Sequence, residues 1–295
     1  MSNLEEHKAG FVSILGNPNV GKSTLMNCLT GEKLSIITSK AQTTRHRIMG
    51  IVNGENFQIV YSDTPGILTP NYKMQAYMMK YVEAAIADSD ILLYMVDCKE
   101  TKFEQKIINS VKKLATPCIV VINKIDKADD LLVEKSVQFW QQLLAPQHIC
   151  CISALYKLNV DDLMSKVVSL LPLSPPYFPK DDLTDRPMRF FVAEMIREKI
   201  LLQFKKEIPY SVEVVVNQYK EEKDITKIDV TIFTERDSQK AIILGHKGMA
   251  IKQLSTDSRI AIEEFIGQKV YLMLNLKVQQ NWRNDEKRLH QFGYL

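Results

Sequence analysis

The sequence predicts an α/β domain, a mostly parallel sheet with helices on both faces, followed by a small α+β domain. Three observations point there. Over residues 10–171, short β-branched runs alternate with longer amphipathic stretches, the pattern of strands joined by covering helices. Several of these runs, notably Ile91 to Val96 and Ile119 to Ile122, are apolar without alternating, as strands buried on both faces require. Five of the eleven prolines crowd between Pro172 and Pro187, and beyond them the order of elements changes.

The first strand is GFVSILG, and helical sequence begins at Lys22. The runs FQIVYSDT, ILLYMVDC, CIVVINKID and HICCISA follow as further strands. Pro175, Pro176 and Pro179 stiffen the backbone into an extended connector. The expected boundaries are 1–172 for the first domain, 173–187 for the proline-rich linker and 188–295 for the second domain. The second domain reads as a helix from Arg189 to Phe204, alternating strands Ser211 to Gln218 and Thr226 to Thr234, a glycine-containing turn inside helical sequence, and a strand from Val270 to Val278.

Composition sets limits on function. A chain of 295 residues is long enough for two hydrophobic cores. No apolar run approaches the roughly 20 residues of a membrane-spanning helix. The start MSNLEEHKAGFVSILG lacks the basic-then-apolar pattern of a secretory signal, so the chain is expected to work in the cytoplasm. Cys28, Cys98, Cys118, Cys150 and Cys151 are odd in number and show no paired C-x-x-C spacing; they read as buried, reduced thiols. With 38 basic against 35 acidic residues, net charge gives no argument for nucleic acid, and any such case must be local.

The segment Gly16-Asn17-Pro18-Asn19-Val20-Gly21-Lys22-Ser23, followed by Thr24, fits G-x-x-x-x-G-K-[ST] between a strand and a helix. Such a loop turns successive N–H groups toward phosphate oxygens at the positive end of a helix. Lys22 is placed to reach the outer phosphates and Ser23 to ligate Mg²⁺. Asp63-Thr64-Pro65-Gly66, followed by Ile67, ends a second strand. Asp63 is expected to hold Mg²⁺ through water, and Gly66 to offer its N–H to the terminal phosphate. Asn123-Lys124-Ile125-Asp126 and Ser153-Ala154-Leu155 end two further strands.

In this order the motifs resemble those of the Ras-like GTPases. The resemblance implies that Asp126 accepts hydrogen bonds from guanine, that Asn123 supports the site, that Lys124 covers the base and that Ala154 offers its N–H to the base carbonyl. A threonine of Gln42-Thr43-Thr44-Arg45 should ligate Mg²⁺, with Thr44 preferred and Thr43 left open. Ile67 cannot orient an attacking water as a glutamine does, so slow hydrolysis is expected, driven by the phosphate loop, Lys22 and Mg²⁺. Related GTPases with an asparagine matching Asn19 use potassium as the missing positive charge, and Asn19 as a loop-shaping residue is the alternative.

In the second domain, Gly245-His246-Lys247-Gly248 falls between helical stretches, with Ile251 and Lys252 following, and three lysines without an acid lie between Gln239 and Ser255. This resembles the loop of a type II KH domain, which clamps single-stranded nucleic acid through close glycine approach. The two domains in one chain resemble the Era-type ribosome-assembly GTPases. That resemblance implies GTP as substrate and GDP as product, and binding near the 3′ end of 16S rRNA in the small ribosomal subunit, assisting rRNA processing and subunit assembly; separately, a monomer is expected. The alternatives are a peripheral membrane or cell-cycle signalling GTPase on the inner face of the cell membrane, or an RNA-binding chaperone with minor GTPase activity.

Overall fold

The computed structural model describes residues 7–40 and 42–294, in two compact units: Met1–Pro70 with Met78–Asp185, and Asn71–Tyr77 with Arg186–Leu295.

The first unit follows the order β1 (Lys8–Leu15), α1 (Lys22–Thr30), β2 (Ile48–Asn53), β3 (Phe57–Asp63), α2 (Lys73–Ala87), β4 (Ile91–Asp97), α3 (Gln105–Lys112), β5 (Cys118–Asn123), α4 (Asp130–Leu144), β6 (His148–Cys151) and α5 (Val160–Leu170); α2 runs across the division between the units. The strands form one sheet in the order β2-β3-β1-β4-β5-β6. All neighbours are parallel except β2, which runs antiparallel to β3. Side chains of one strand point to opposite faces, so the sheet feeds two cores. Val12, Ile14, Leu93 and Val121 join α1 and α5 in one; Leu15, Tyr94, Val120 and Trp140 form the other with residues of α2, α3 and α4. The C-terminal ends of β1, β3, β4 and β5 consequently gather along one edge, where open α/β sheets bind ligands.

The proline-rich stretch is extended, yet it is not a free spacer. The Ile51 N–H donates to the Leu183 carbonyl, Gly50 and Thr184 form a bridge, and Gln58 accepts the N–H groups of Tyr177 and Phe178. The first unit accordingly runs through Asp185 rather than ending at residue 172. Prolines suppress helix but leave carbonyls and the intervening N–H groups free to pair.

The second unit contains α6 (Met188–Gln203), β7 (Glu213–Glu221), β8 (Thr226–Thr234), α7 (Asp237–Leu244), α8 (Met249–Ile266), β9 (Val270–Val278) and α9 (Glu286–Gln291). Its sheet runs β7-β8-β9, with β7 antiparallel and β9 parallel to β8. Val192, Ile196 and Ile200 of α6 and Leu254 and Ile262 of α8 pack on the alternate strand residues Val214, Ile228, Val230 and Ile232. This helix, two strands, two helices, strand order is the expected type II KH arrangement. Of the five cysteines, Cys98 and Cys150 are buried, whereas Cys28, Cys118 and Cys151 are only partly so. Among the described residues, no helix is long and apolar enough to cross a membrane.

Candidate nucleotide site and nucleic-acid loop

The phosphate loop connects β1 to α1. The Lys22 ammonium donates to the carbonyls of Gly16 at 2.9 Å and Asn17 at 2.8 Å. Burial pushes Lys22 down to about 8, against the pull of the Asp63 and Glu100 carboxylates. Behind the loop, Asn17 donates to Glu100 and to the Lys102 carbonyl, at 2.8 and 2.9 Å. A cavity of about 350 Å³ opens in front of it, lined by Pro18, Asn19, Gly21, Ser23, Thr24 and Lys124 among others.

Ser23 and Thr44 line this cavity, and both meet the fully buried Asp63. The Ser23 hydroxyl donates to Asp63 Oδ2 at 2.7 Å and lies 2.9 Å from the Thr44 hydroxyl. Thr43 instead places its hydroxyl on Thr38 and the Lys40 carbonyl. Burial pushes the Asp63 carboxyl up, while the Lys22 ammonium and the Ser23 hydroxyl pull it down. Its second oxygen, Oδ1, is buried with no hydrogen-bond partner. A buried carboxylate with one unpartnered oxygen, among the hydroxyls of Ser23, Ser35 and Thr44, suits a hard cation that takes oxygen ligands. The site therefore fits Mg²⁺.

Around these residues the remaining motifs form the walls. Gly66 comes so close to the phosphate loop that a Cβ there would lie 2.8 Å from Pro18. Thr64 donates its hydroxyl to the Ile14 carbonyl within the sheet. The Ile67 side chain is buried in the core beside Leu15 and Val82, and its N–H donates to the Gly16 carbonyl. Ile67 thus reaches the loop through its backbone, and its side chain is not placed to contact the nucleotide. Ile125 likewise packs against that core.

On the base side, Asn123 donates to the Val20 carbonyl at 2.8 Å and accepts the Ala154 N–H at 2.9 Å. The Ala154 amide that the family resemblance assigns to the base carbonyl is therefore engaged within the protein, because the buried Asn123 oxygen needs a donor. Lys124 spans the Asn19 carbonyl at 2.6 Å and the Asp97 carboxylate at 2.9 Å. Ser153 donates to Asp126 Oδ1 at 2.6 Å and fixes that carboxylate.

In the second unit, Gly245-His246-Lys247-Gly248 joins α7 to α8. Gly245 has φ +70°, and a Cβ there would sit 2.5 Å from that of Ala250. Gly248 caps α8 at φ 76°. Lys252 is exposed on the first turns of α8 and Ile251 is half-buried beside it. The loop therefore presents backbone and lysines at a helix N-terminus.

Comparison with known proteins completes the picture. The family model of 50S ribosome-binding GTPases matches residues 11–124, and a KH-domain model matches residues 207–283. The chloroplastic GTPase ERA1 of Zea mays is 43% identical over 98% of this chain and 71% of its own length. A chloroplastic ERA-like GTPase of Oryza sativa is 44% identical over 99% and 71%. The chain belongs to the Era family of GTPases. Era of Aquifex aeolicus, as a point variant bound to GDP·AlF₄⁻, superimposes with a TM-score of 0.93 at 36% identity, covering 97% of this chain and 99% of that one. An Era complex with MgGDPNP and nucleotides 1506–1542 of 16S ribosomal RNA also gives 0.93, at 37% identity over 98% and 99% of the two chains.

Seen as an Era-type GTPase, the chain uses residues that its motifs did not reveal. Ile36, Ile37, Thr38, Ser39 and Lys40 line the cavity, and Asp97 and Glu100 hold Lys124 and Asn17. None belongs to a recognisable spacing. Asp97 alone ends a strand facing the site, a signal that would have found it.

Proposed function

We propose that this chain is a switch that binds and hydrolyses GTP, and that its second domain binds small-subunit rRNA near the 3′ end to assist rRNA processing and small-subunit assembly. The observation that carries the reading is the meeting of Ser23, Thr44 and Asp63, with one Asp63 oxygen unpartnered, beside the buried Lys22 ammonium. The Era complex with MgGDPNP and 16S rRNA nucleotides, alike over nearly the whole chain, supports the RNA half.

In this reading Ser23, Thr44 and Asp63 hold Mg²⁺, with Thr44 chosen over Thr43. The metal supplies charge neutralisation for the phosphates. Phosphate-loop N–H groups and Lys22 replace phosphate hydration, and Lys22 exchanges its carbonyl partners for phosphate oxygens. Gly66 N–H senses the terminal phosphate, so cleavage of that phosphate frees the loop. Asp126, fixed by Ser153, accepts from guanine N1–H and the exocyclic amine; adenine lacks that pair of donors. With Ile67 in the core, no side chain from that position orients water, and intrinsic hydrolysis is slow.

The Asn19 side chain donates to the Ser39 carbonyl at 3.0 Å, placing a side-chain amide and a backbone carbonyl at the loop's rim. A potassium ion bound there would supply additional positive charge. Hydrolysis faster in potassium than in sodium supports it, and equal rates remove it.

Gly245 to Gly248, Lys247, Ile251 and Lys252 form the RNA clamp, working in the cytoplasm as a monomer. The deciding experiment compares affinity for an RNA from the small-subunit 3′ end with GDP and with a non-hydrolysable GTP analogue bound. Tighter binding with the analogue supports a nucleotide-controlled switch, and equal weak binding removes the RNA reading. Co-sedimentation with liposomes tests the membrane alternative.

A further inference from the structure

Three residues beyond Thr44, the chain enters β2 at a buried arginine. Arg47 Nε donates to the Ser62 hydroxyl at 2.6 Å, and its Nη1 lies 2.8 Å from Asp88 Oδ2. Ser62 immediately precedes Asp63, and Ile48 pairs directly across from Asp63 in the β2–β3 ladder. Asp88 follows the last turn of α2, where a cation also complements the exposed carbonyls. Ser13, level with Ser62 on the neighbouring strand, donates to the Ala85 carbonyl of that same turn at 2.8 Å. Between Thr44 and Arg47, the His46 ring packs 5.9 Å from Tyr81 of α2. The segment that delivers the Thr44 hydroxyl is therefore anchored at its far end to the strand bearing Asp63 and to the end of α2.

We propose that Arg47 is a positioning residue for the magnesium site: its bridge between Ser62 and Asp88 holds Thr44 beside Ser23 and Asp63, and ties that loop to α2. This rests on the reading of Thr44 as a Mg²⁺ ligand. A planar guanidinium can serve two acceptors in fixed directions, whereas a lysine ammonium acts as a point charge. The clasp should thus matter for the GTP-bound form, which needs Thr44, more than for the GDP-bound form.

The test measures affinity for labelled GDP and for a non-hydrolysable GTP analogue across a Mg²⁺ titration, in Thr44→Ala, Arg47→Ala, Arg47→Lys, Asp88→Ala and the Thr44→Ala/Arg47→Ala pair. The expectation for Arg47→Ala is roughly tenfold weaker analogue binding at limiting Mg²⁺, the usual scale for removing an outer-shell partner, with GDP affinity kept within about twofold. Arg47→Lys falls between, and Arg47→Ala adds nothing to Thr44→Ala. Equal losses for both nucleotides, or additive losses in the pair, overturn the proposal. Should Arg47→Ala fail to fold, Asp88→Ala decides, because Asp88 is 58% exposed; a folded Asp88→Ala with no selective loss overturns it too. An unchanged Mg²⁺ dependence in Thr44→Ala removes the ligand reading itself, and a loss there without one in the clasp variants removes only the inference about Arg47.

Discussion

The side-chain oxygen of Asn123 accepts the Ala154 N–H at 2.9 Å, while its amide donates to the Val20 carbonyl at 2.8 Å. One buried side chain thereby joins the phosphate loop to the loop after β6. Asn123→Ala leaves a buried donor and a buried acceptor unpaired, at roughly 1–3 kcal/mol each. Guanine-nucleotide affinity should fall at least tenfold, read by titration of fluorescent GDP.

Asp126 is held by Ser153 at one oxygen, leaving the other for the base. Asp126→Asn can keep its oxygen toward Ser153 and turn its amide toward the ligand. The amide repels the guanine amine but donates to the 2-oxo group of xanthine. Competition binding should show GTP weakened by on the order of a thousandfold or more and XTP strengthened. Unchanged preference for GTP would refute the assignment.

Lys22 is expected to cost stability when no nucleotide is bound. Its folded-state value, about 8, lies below the ordinary 10.5. Below pH 8 the buried ammonium penalises the fold fully, and between pH 8 and 10.5 the unfolded chain binds more protons, so stability rises with pH. At pH 7, Lys22→Met should raise ligand-free stability by on the order of 1–3 kcal/mol while abolishing GTP binding. Thermal melts with and without GTP check both halves.

Cys118 as a residue is only partly buried, but burial of its thiol pushes it up to about 12 from the ordinary 9.0, against a backbone hydrogen bond from Tyr94. Iodoacetamide at pH 8 should alkylate it roughly a thousandfold more slowly in the native than in the unfolded protein. The sign for stability is negative at high pH: the unfolded thiol ionises near 9 while the folded one stays neutral toward 12. Across that window stability declines. Mass-spectrometric site mapping over a pH series reads the alkylation.

Lys247 and Lys252 flank the N-terminus of α8. Changing either to Ala should weaken RNA binding similarly for different sequences and reduce the salt slope by about 0.7 for single-stranded RNA. GTP hydrolysis without RNA should not change. A sequence-dependent loss would mean base contacts instead.

Much of this architecture is legible in the chain because its signals are local. The apolar runs Ile91 to Val96 and Ile119 to Ile122 are central strands, and the second domain's helix and strands fall within a few residues of expectation. β2 is hard to read in the sequence because IMGIVN has no clear alternation and follows a basic stretch. α9 is six residues long, too short for periodicity to show. In the site, motif spacing located the phosphate loop and Asp63. What it could not encode is which partner each polar atom selects: Thr44 against Thr43, or the Ala154 amide turned to Asn123. Those choices depend on contacts between segments far apart in sequence.

β2 is the outermost strand of the large sheet, and the segment Lys180 to Thr184 runs along it. Asn53 donates to the Lys180 carbonyl and Thr184 to the Met49 carbonyl, and the Ile51 N–H pairs with Leu183. An uncovered strand of that kind offers its amides to any other chain and invites aggregation. Cutting the protein at residue 172 to isolate the first domain would strip this cover away. A fragment ending at Asp185 keeps the edge sealed and should stay dispersed where the shorter one self-associates.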